Sequence, residues 1–304
     1  MNEKTNFKGV IPITPTPFTD SGAVDEASIR NLIRYLSKVG VDGIAILGFL
    51  GENHKLSGDE RRRVLATVRE AVADRFPVFV GVRAFGAAGA IEQIEEASEF
   101  GGASGVFVAP IDNQNDNVLF GFFKDVAQGG PLPVMLHDYP ASFGTILSAE
   151  LIIRLAQEVP GVIGIKAEDP PVLTKLTRIR EAAPDFGIFG GLGGMFFLEE
   201  LKRGANGIMT GFSYSEVLVD IWQKFTRGDT EGATETFDHY ASLFRYEFQP
   251  NIGLAFRKHV MKKRGIFASD HIRRPGAGLD EVTAREYEGI LGRLGLSLEP
   301  HDLA

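Results

Sequence analysis

The sequence predicts an α/β fold, a (β/α)8 TIM barrel with a C-terminal helical extension. Eight short apolar runs rich in Val, Ile and Phe alternate with eight amphipathic stretches. Apolar runs without polar alternation are typical of parallel strands that are covered on both faces. Strict alternation of strand and helix over roughly 225 residues favours closure into a barrel. The same pattern leaves an open, doubly wound sheet as the alternative fold.

The predicted strands are short, and several follow a glycine-containing turn such as 38–43 or 203–207. A helix that ends on glycine and passes quickly into a strand is the usual connection in such folds. The predicted strands are residues 9–13, 43–47, 78–82, 105–109, 133–137, 162–166, 187–189 and 207–210.

The predicted helices carry capping residues and apolar faces. Asp25 can cap a helix whose apolar residues recur at spacings of three and four, and Ser57 with Glu60 forms a capping box for the next helix. Further helices are predicted at 86–100, 117–128, 148–158, 171–183, 194–203 and 214–226.

The last part of the chain has helical periodicity and no strand pattern, with predicted helices at 229–246, 251–264 and 280–294. We therefore divide the chain into a barrel, residues 1–225, and a helical appendage, residues 226–304.

The composition argues against several classes of partner. The 304 residues carry a net charge of −8 and no basic block of five or more, so neither nucleic acid nor an anionic membrane surface is expected. No apolar run reaches about 18 residues and the N-terminus is polar, without a signal-peptide core, so a cytoplasmic location is expected.

Cysteine is absent and the six histidines are scattered, without metal-binding spacing. Thiol catalysis and disulfides are thereby excluded, and no metal site is expected.

Lys166 is the most informative residue. It closes the apolar run VIGIK at residues 162–166, where burial of an unpaired ammonium would cost several kcal/mol. A desolvated pocket lowers the pKa of a lysine and frees its lone pair to attack a carbonyl carbon, which makes Lys166 a candidate Schiff-base nucleophile. The alternative is a lysine whose ammonium extends to water at a strand end.

Active sites of these barrels lie at the carboxyl ends of the strands. Lys166 ends strand 6, and the second strand ends in GFLGENH, residues 48–54. Backbone amides at Phe49, Leu50 and Gly51 could bind a carboxylate, with a tight turn as the alternative.

Strand 5 ends in three polar side chains, His137, Asp138 and Tyr139. Alternation places His137 and Tyr139 on one side of the strand and Asp138 on the other. One of them is a natural acid–base group, unless the three form a structural cluster. The glycine-rich segment 190–194 after strand 7 could hold phosphate, but it lacks Lys and Arg and more readily leaves room for a substrate tail.

These segments together resemble one family. GVIPITPTPF at 9–18, GxxGE at 48–52 followed by LS, DxP at 138–140 and GIK at 164–166 are similar to the motifs of the dihydrodipicolinate synthase / N-acetylneuraminate lyase family. The resemblance extends from about residue 7 to 225. It implies a class I lyase, usually a homotetramer (a homodimer is the other expectation), in which Lys166 forms an imine with a 2-oxo acid such as pyruvate. No cofactor other than this covalent imine is implied.

The sequence also departs from the family pattern. Phe49 and Leu50 replace the two threonines of the usual GTTGE motif, and His137 stands where the family has its catalytic tyrosine. The arginine of the synthase falls at about Ser142, and its strand-4 tyrosine falls near residues 111 and 112. The hydroxyl relay of the synthase is therefore missing, which argues against synthesis of dihydrodipicolinate.

The DxP motif and the Lys-x-Glu of strand 6 are more similar to the sugar-acid branch, such as 2-keto-3-deoxyarabonate dehydratases. We therefore expect a 2-keto-3-deoxy sugar acid dehydratase or aldolase. Two alternatives are a pyruvate-dependent aldol synthase or lyase, and a barrel that binds a ligand without catalysis.

The residue roles that follow are expectations. Lys166 attacks the keto carbon, and His137 or Tyr139 transfers protons with the help of Glu168. The amides at 49–51 hold the substrate carboxylate. The substrate-binding residues are expected to be Phe49, Leu50, Gly51, Asp138, Gly191 and Thr210.

Overall fold

The computed structural model describes residues 7–110 and 114–299. Eight parallel strands are hydrogen-bonded in the order β1-β8-β7-β6-β5-β4-β3-β2. A bridge between Ile13 and Ala45 joins β1 to β2 and completes the ring. The predicted (β/α)8 barrel is confirmed. The strands are β1 Gly9–Pro12, β2 Ile44–Ile46, β3 Val78–Ala84, β4 Gly105–Pro110, β5 Val134–Asp138, β6 Val162–Ala167, β7 Gly187–Gly190 and β8 Gly207–Thr210.

Nine α-helices of the described chain accompany the barrel strands, and two of them begin at the predicted caps. The Asp25 side chain accepts the Ser28 amide, and Ser57 with Glu60 forms the capping box. The short helix α5 follows the strand-5 polar cluster and was not predicted. These helices are α1 Glu26–Val39, α2 Gly58–Val72, α3 Ala87–Gly101, α4 Asp116–Gly129, α5 Pro140–Phe143, α6 Ala149–Glu158, α7 Val172–Ala182, α8 Phe197–Lys202 and α9 Ser215–Thr226.

Side chains alternate between the inside and the outside of the barrel along each strand. The inward-facing ones fill the barrel, and the uppermost of them point toward its mouth. Lys166 pairs with His137 in the β5–β6 register and with Phe189 in the β6–β7 register. Phe189 lies in the barrel interior, so the strand-6 lysine points inward as well. The interior apolar layer consists of Ile11, Ile13, Ala45, Phe79, Phe107, Met135, Phe189 and Met209.

The C-terminal residues form α10 Thr230–Glu247, α11 Gly253–Lys263 and α12 Glu281–Arg293. Helix α10 packs on α9 and carries Phe244 into the apolar layer between helices and barrel. The segment between α10 and α11 reaches the mouth of the barrel. None of the helices within residues 7–110 and 114–299 combines the length and the hydropathy needed to cross a membrane.

Candidate active site

A cavity of about 660 Å³ opens at the carboxyl ends of the strands. This volume lies within the range of about 300–1,000 Å³ that is usual for pockets of small-molecule ligands. Lys166 is among the lining residues, together with residues of β4, β5 and β8, of the segments that follow β1, β2 and β7, and of the segment at 247–257. This cavity lies at the carboxyl ends of the strands, where the sequence predicts the active site.

Lys166 is inward-facing on β6 and only 4% exposed. Burial lowers the pKa of its amine from 10.5 to about 7, while the negative charges of Glu200 and Asp138 act in the opposite direction. A substantial fraction of the amine is therefore neutral at pH 7. The structure agrees with a buried reactive amine and disagrees with the alternative of an ammonium extended into water.

Glu168 lies beside this amine. Its Oε2 accepts a short hydrogen bond from Lys166 Nζ, and its Oε1 accepts the Leu192 amide at 2.9 Å. A Cβ on Gly191 would overlap the Glu168 side chain, so the glycine gives the carboxylate its space. The Glu168 amide donates to the Asp138 carbonyl oxygen at 2.9 Å, which continues the β5–β6 ladder and keeps Glu168 on the same side as Lys166.

His137 completes a buried cluster of three polar side chains. Its Nε2 lies 3.2 Å from Lys166 Nζ and 3.2 Å from Glu168 Oε2. Burial, and then the charge of Lys166, hold the pKa of His137 well below 6.5, so the ring is neutral at pH 7. Phe107 and Phe143 pack edge-on against it, with ring centroids 5.3 and 5.0 Å away.

Tyr139 lies on the same side of the strand as His137, as alternation predicts. The two rings are stacked at 6.3 Å with an interplanar angle of 13°. Lys166 Nζ lies 5.8 Å from the centroid of the Tyr139 ring, so the tyrosine presents its face to the amine.

The turn after β2 holds the predicted carboxylate-binding amides. Phe49 and Leu50 line the cavity. Gly51 lies outside the lining, and a Cβ there would come within 2.8 Å of the Leu47 amide nitrogen, so only glycine fits. Within the described chain, the Leu50 and Gly51 amides donate to no protein acceptor. They are available to an anion.

The three remaining predicted contacts differ in their surroundings. Thr210 lines the cavity, and its Oγ1 accepts the Gly193 amide at 3.0 Å. Asp138 is fully buried outside the lining, where Oδ2 accepts Lys175 Nζ at 2.7 Å and Oδ1 accepts the Leu147 amide. Gly191 also lies outside the lining and acts on the site through Glu168. Asp138 therefore ties β5 to the α7 region, because alternation turns it away from the mouth.

Sequence reasoning missed the contribution of the appendage. Glu247 and Arg257 line the cavity although both are almost fully buried. The sequence offered one signal for this contribution, which was the charged residue Arg257 on the apolar face of the predicted helix at 251–264.

Glu200 of α8 was also missed. It is fully buried, neither oxygen makes a hydrogen bond of good geometry within the described part of the chain, and it occupies the space that a Gly190 Cβ would need. Burial raises the pKa of Glu200 to about 8, with the nearby Glu199 charge acting in the same direction.

Residues 111 and 112, where the strand-4 tyrosine of the family would fall, lie outside the described residues. In the part of the chain that is described, no three His, Cys, Asp or Glu side chains are grouped as metal ligands would be.

Comparison with known proteins gives matches over nearly the whole chain. The matching family model is that of the dihydrodipicolinate synthetase family, over residues 6–293. An L-2-keto-3-deoxyarabonate dehydratase from Azospirillum brasilense is 29% identical over 293 residues, which are 94% of each chain. A crystal structure of dihydrodipicolinate synthase from Rhodopseudomonas palustris superimposes with a TM-score of 0.90 at 32% identity, covering 95% of this chain and 98% of that one.

YagE from Escherichia coli K12, solved in complex with pyruvate, matches with a TM-score of 0.88 at 27% identity. The match covers 96% of this chain and 99% of YagE.

Proposed function

This chain belongs to the dihydrodipicolinate synthetase family and is a lyase, and from this premise we propose that it acts on a 2-oxo acid through an imine on Lys166. The observation that carries the proposal is the buried cluster of Lys166, Glu168 and His137 at the floor of the cavity. It combines a nucleophilic amine, a carboxylate and a neutral imidazole within hydrogen-bonding distance of one another. No cofactor beyond the covalent imine is proposed.

The first step binds the substrate carboxylate at the turn after β2, through the amide of Leu50, which lines the cavity together with Phe49 and Thr210. The keto carbon then lies above Lys166, and the neutral amine adds to it. The carbinolamine loses water to give the imine, with Glu168 or His137 carrying the proton to the leaving oxygen.

The second step uses the imine as an electron sink. Glu168 removes a proton from C3, and the resulting enamine expels the C4 hydroxyl, which leaves as water after taking that proton back from Glu168. Water then hydrolyses the imine and regenerates the amine. Glu168 suits this role because the Leu192 amide holds its Oε1 and leaves Oε2 directed at the reacting amine. His137 passes protons between the two, and Tyr139 covers the reacting atoms with its ring face.

We propose a 2-keto-3-deoxy sugar acid as the substrate and dehydration as the outcome. Two observations support this proposal. The Azospirillum relative is named as such a dehydratase, and the amine has the Glu168 carboxylate beside it, while His137 stands where the synthase has its tyrosine. The second candidate is aldol cleavage to pyruvate and an aldehyde, because the related YagE binds pyruvate.

Product analysis distinguishes the two reactions. We expect the enzyme to convert L-2-keto-3-deoxyarabonate to one product with all five carbons, detected by mass spectrometry. Two carbon fragments would identify an aldolase. Lys166→Ala should abolish either reaction, while Lys202→Ala, which removes an exposed lysine, serves as the matched control. Unchanged turnover in Lys166→Ala would refute the imine mechanism.

We also infer that the protein is a cytoplasmic homotetramer or homodimer. The exposed apolar side chains of Phe85 (82% exposed) and Ile146 (55% exposed) support association of copies. Light scattering at micromolar concentration should give two or four times the mass of 33.1 kDa. A monomer would contradict this inference.

A further inference from the structure

The C-terminal segment lines one part of the cavity that also contains Lys166. Arg257 of α11 lies there, with Glu247, Phe248 and Leu254 close by along the chain. Pyruvate has three carbons and would occupy only the part near Lys166. A cavity of about 660 Å³ therefore has room for a longer ligand whose far end reaches Arg257.

The fold makes a slot for the Arg257 guanidinium. A Cβ on Gly211 would come within 2.9 Å of Nε, and a Cβ on Gly253 would come within 2.5 Å of Nη1. Neither glycine has a positive φ, so backbone conformation does not require them. What their missing side chains provide is room for this guanidinium.

The guanidinium is nevertheless incompletely hydrogen-bonded. Nη2 donates to the Gly211 carbonyl oxygen, Nε has no partner, and the described residues offer no ion pair to Arg257. Arginine carries five N–H donors, and buried donors without acceptors are costly. A side chain that is only 4% exposed at a cavity wall, with unsatisfied donors, is suited to bind a ligand oxygen.

A buried carboxyl group, that of Glu247, lines the same part of the cavity as Arg257. The Glu247 carboxylate is fully buried, accepts the Ser213 amide at 3.1 Å and the Tyr287 hydroxyl, and interacts electrostatically with Arg257. Both of its oxygens are thus engaged within the protein. Burial raises the pKa of Glu247 and the charge of Arg257 opposes that rise. Because both Glu247 oxygens are engaged elsewhere, the guanidinium keeps N–H donors that suit the hydroxyl oxygens of a ligand.

We propose that Arg257 is a specificity-determining residue that binds the hydroxylated tail of the 2-oxo acid, at the part of the cavity wall that the C-terminal segment forms. This inference rests on the proposed function for the position of the keto carbon. The proposal places recognition of the substrate tail on helix α11 of the appendage. The arginine that follows strand 5 in the synthase falls at about Ser142 here.

The test measures selectivity with borohydride trapping of the imine. Three probes are compared: pyruvate without a tail, 2-keto-3-deoxyarabonate with a hydroxylated tail, and 2-oxoglutarate with an anionic tail of the same carbon number. Wild type should saturate at the lowest concentration with 2-keto-3-deoxyarabonate. Arg257→Gln should raise its half-saturating concentration relative to that of pyruvate by about 10- to 100-fold, the effect of losing a hydrogen bond from a charged donor.

The control is Arg227→Gln, which makes the same replacement at an exposed arginine and should leave the ratio unchanged. A ratio that moves by less than about threefold in Arg257→Gln would overturn the proposal. A wild-type preference for 2-oxoglutarate that Arg257→Gln abolishes would overturn its neutral-tail part.

A second measurement does not depend on imine chemistry. Arabonate carries hydroxyls at C2 and C3 and has no keto group, so it cannot form an imine and calorimetry reports its binding alone. We expect affinity to fall by about 10- to 100-fold in Arg257→Gln. If wild type forms no imine with any probe, the proposed function fails, and this titration still decides the role of Arg257.

Gly253→Ala is a second variant that tests the same contact if Arg257→Gln does not fold. Its Cβ would displace Nη1 while the charge remains. We expect a weaker shift in the same ratio. An unchanged ratio would show that the missing side chain of Gly253 is not what gives the guanidinium its room.

Discussion

Two buried lysines of this barrel, Lys166 and Lys258, have different surroundings. Lys258 is fully buried, donates to Glu52 Oε1 at 2.6 Å and to the His271 carbonyl oxygen at 2.8 Å, and lies 4.3 Å from the centroid of the Phe18 ring. Burial lowers its pKa to about 8, a direction shared with Lys166. Lys258 does not line the cavity, whereas Lys166 does.

The difference teaches that burial alone does not make a lysine reactive. Glu52 also accepts Lys55 Nζ at 2.9 Å and the Arg273 amide at 3.1 Å, so its ion pair joins the β2 turn to the C-terminal segment. Lys166 lines the cavity together with its partners His137 and Glu168, whereas Lys258 does not line it, although its partner Glu52 does. Lys258 thus stabilises the fold, and we assign the chemistry to Lys166.

Lys166→Ala should have the largest effect of any single change. Removing the proposed nucleophile should lower turnover of the sugar acid by at least about 10³-fold, because no imine forms. Steady-state kinetics measures this loss. Residual imine trapping in the variant would show that a second amine takes part.

Glu168→Gln should separate imine formation from proton transfer. We expect pyruvate trapping to persist while turnover falls by about 10²- to 10⁴-fold, because the amide cannot take the C3 proton. Comparison of trapping with turnover measures the separation. Equal losses in both would place Glu168 in imine formation alone.

Lys258→Met should act on stability. Removing one partner of a buried ion pair costs about 3–5 kcal/mol, and the free energy of unfolding should fall by this amount in urea denaturation. The control is Arg285→Met, whose pair with Glu281 is exposed and is expected to contribute about 0–1 kcal/mol. A loss in Lys258→Met no greater than in this control would remove the structural role from Lys258.

Glu200→Gln should act on the pH dependence of stability. The folded-state pKa of Glu200, about 8, lies above its value in the unfolded chain, near 4.5. The folded state therefore binds the extra proton, and stability from this group is lost as pH rises from about 4.5 through 8. Glutamine does not titrate, so the melting temperature of the variant relative to wild type should rise over this window. A constant difference would contradict the raised pKa.

Much of the fold could be predicted because its signals are local. Apolar strand runs, the Asp25 cap and the capping box at Ser57 each depend on a few neighbouring residues, and all appear as expected. Alternation likewise predicted that His137 and Tyr139 share a side, with Asp138 opposite.

The rest of the site could not be predicted in this way. Arg257 binds the carbonyl oxygen of a residue 46 positions earlier in the chain, and Glu200 meets Gly190 only through packing of α8 on the barrel. The periodicity of 251–264 correctly predicted a helix, but it could not show which charged residue of that helix faces a cavity. Such contacts depend on tertiary packing.

Mapping the borohydride-reduced pyruvate adduct by peptide mass spectrometry across pH 5 to 9 tests the central claim most directly. Only the neutral amine attacks, so the initial rate should rise about tenfold per pH unit at low pH and level off above about 7, the pKa to which burial brings Lys166. The account predicts one adduct, on Lys166. An adduct on Lys258 or another lysine, or none at any pH, would contradict it.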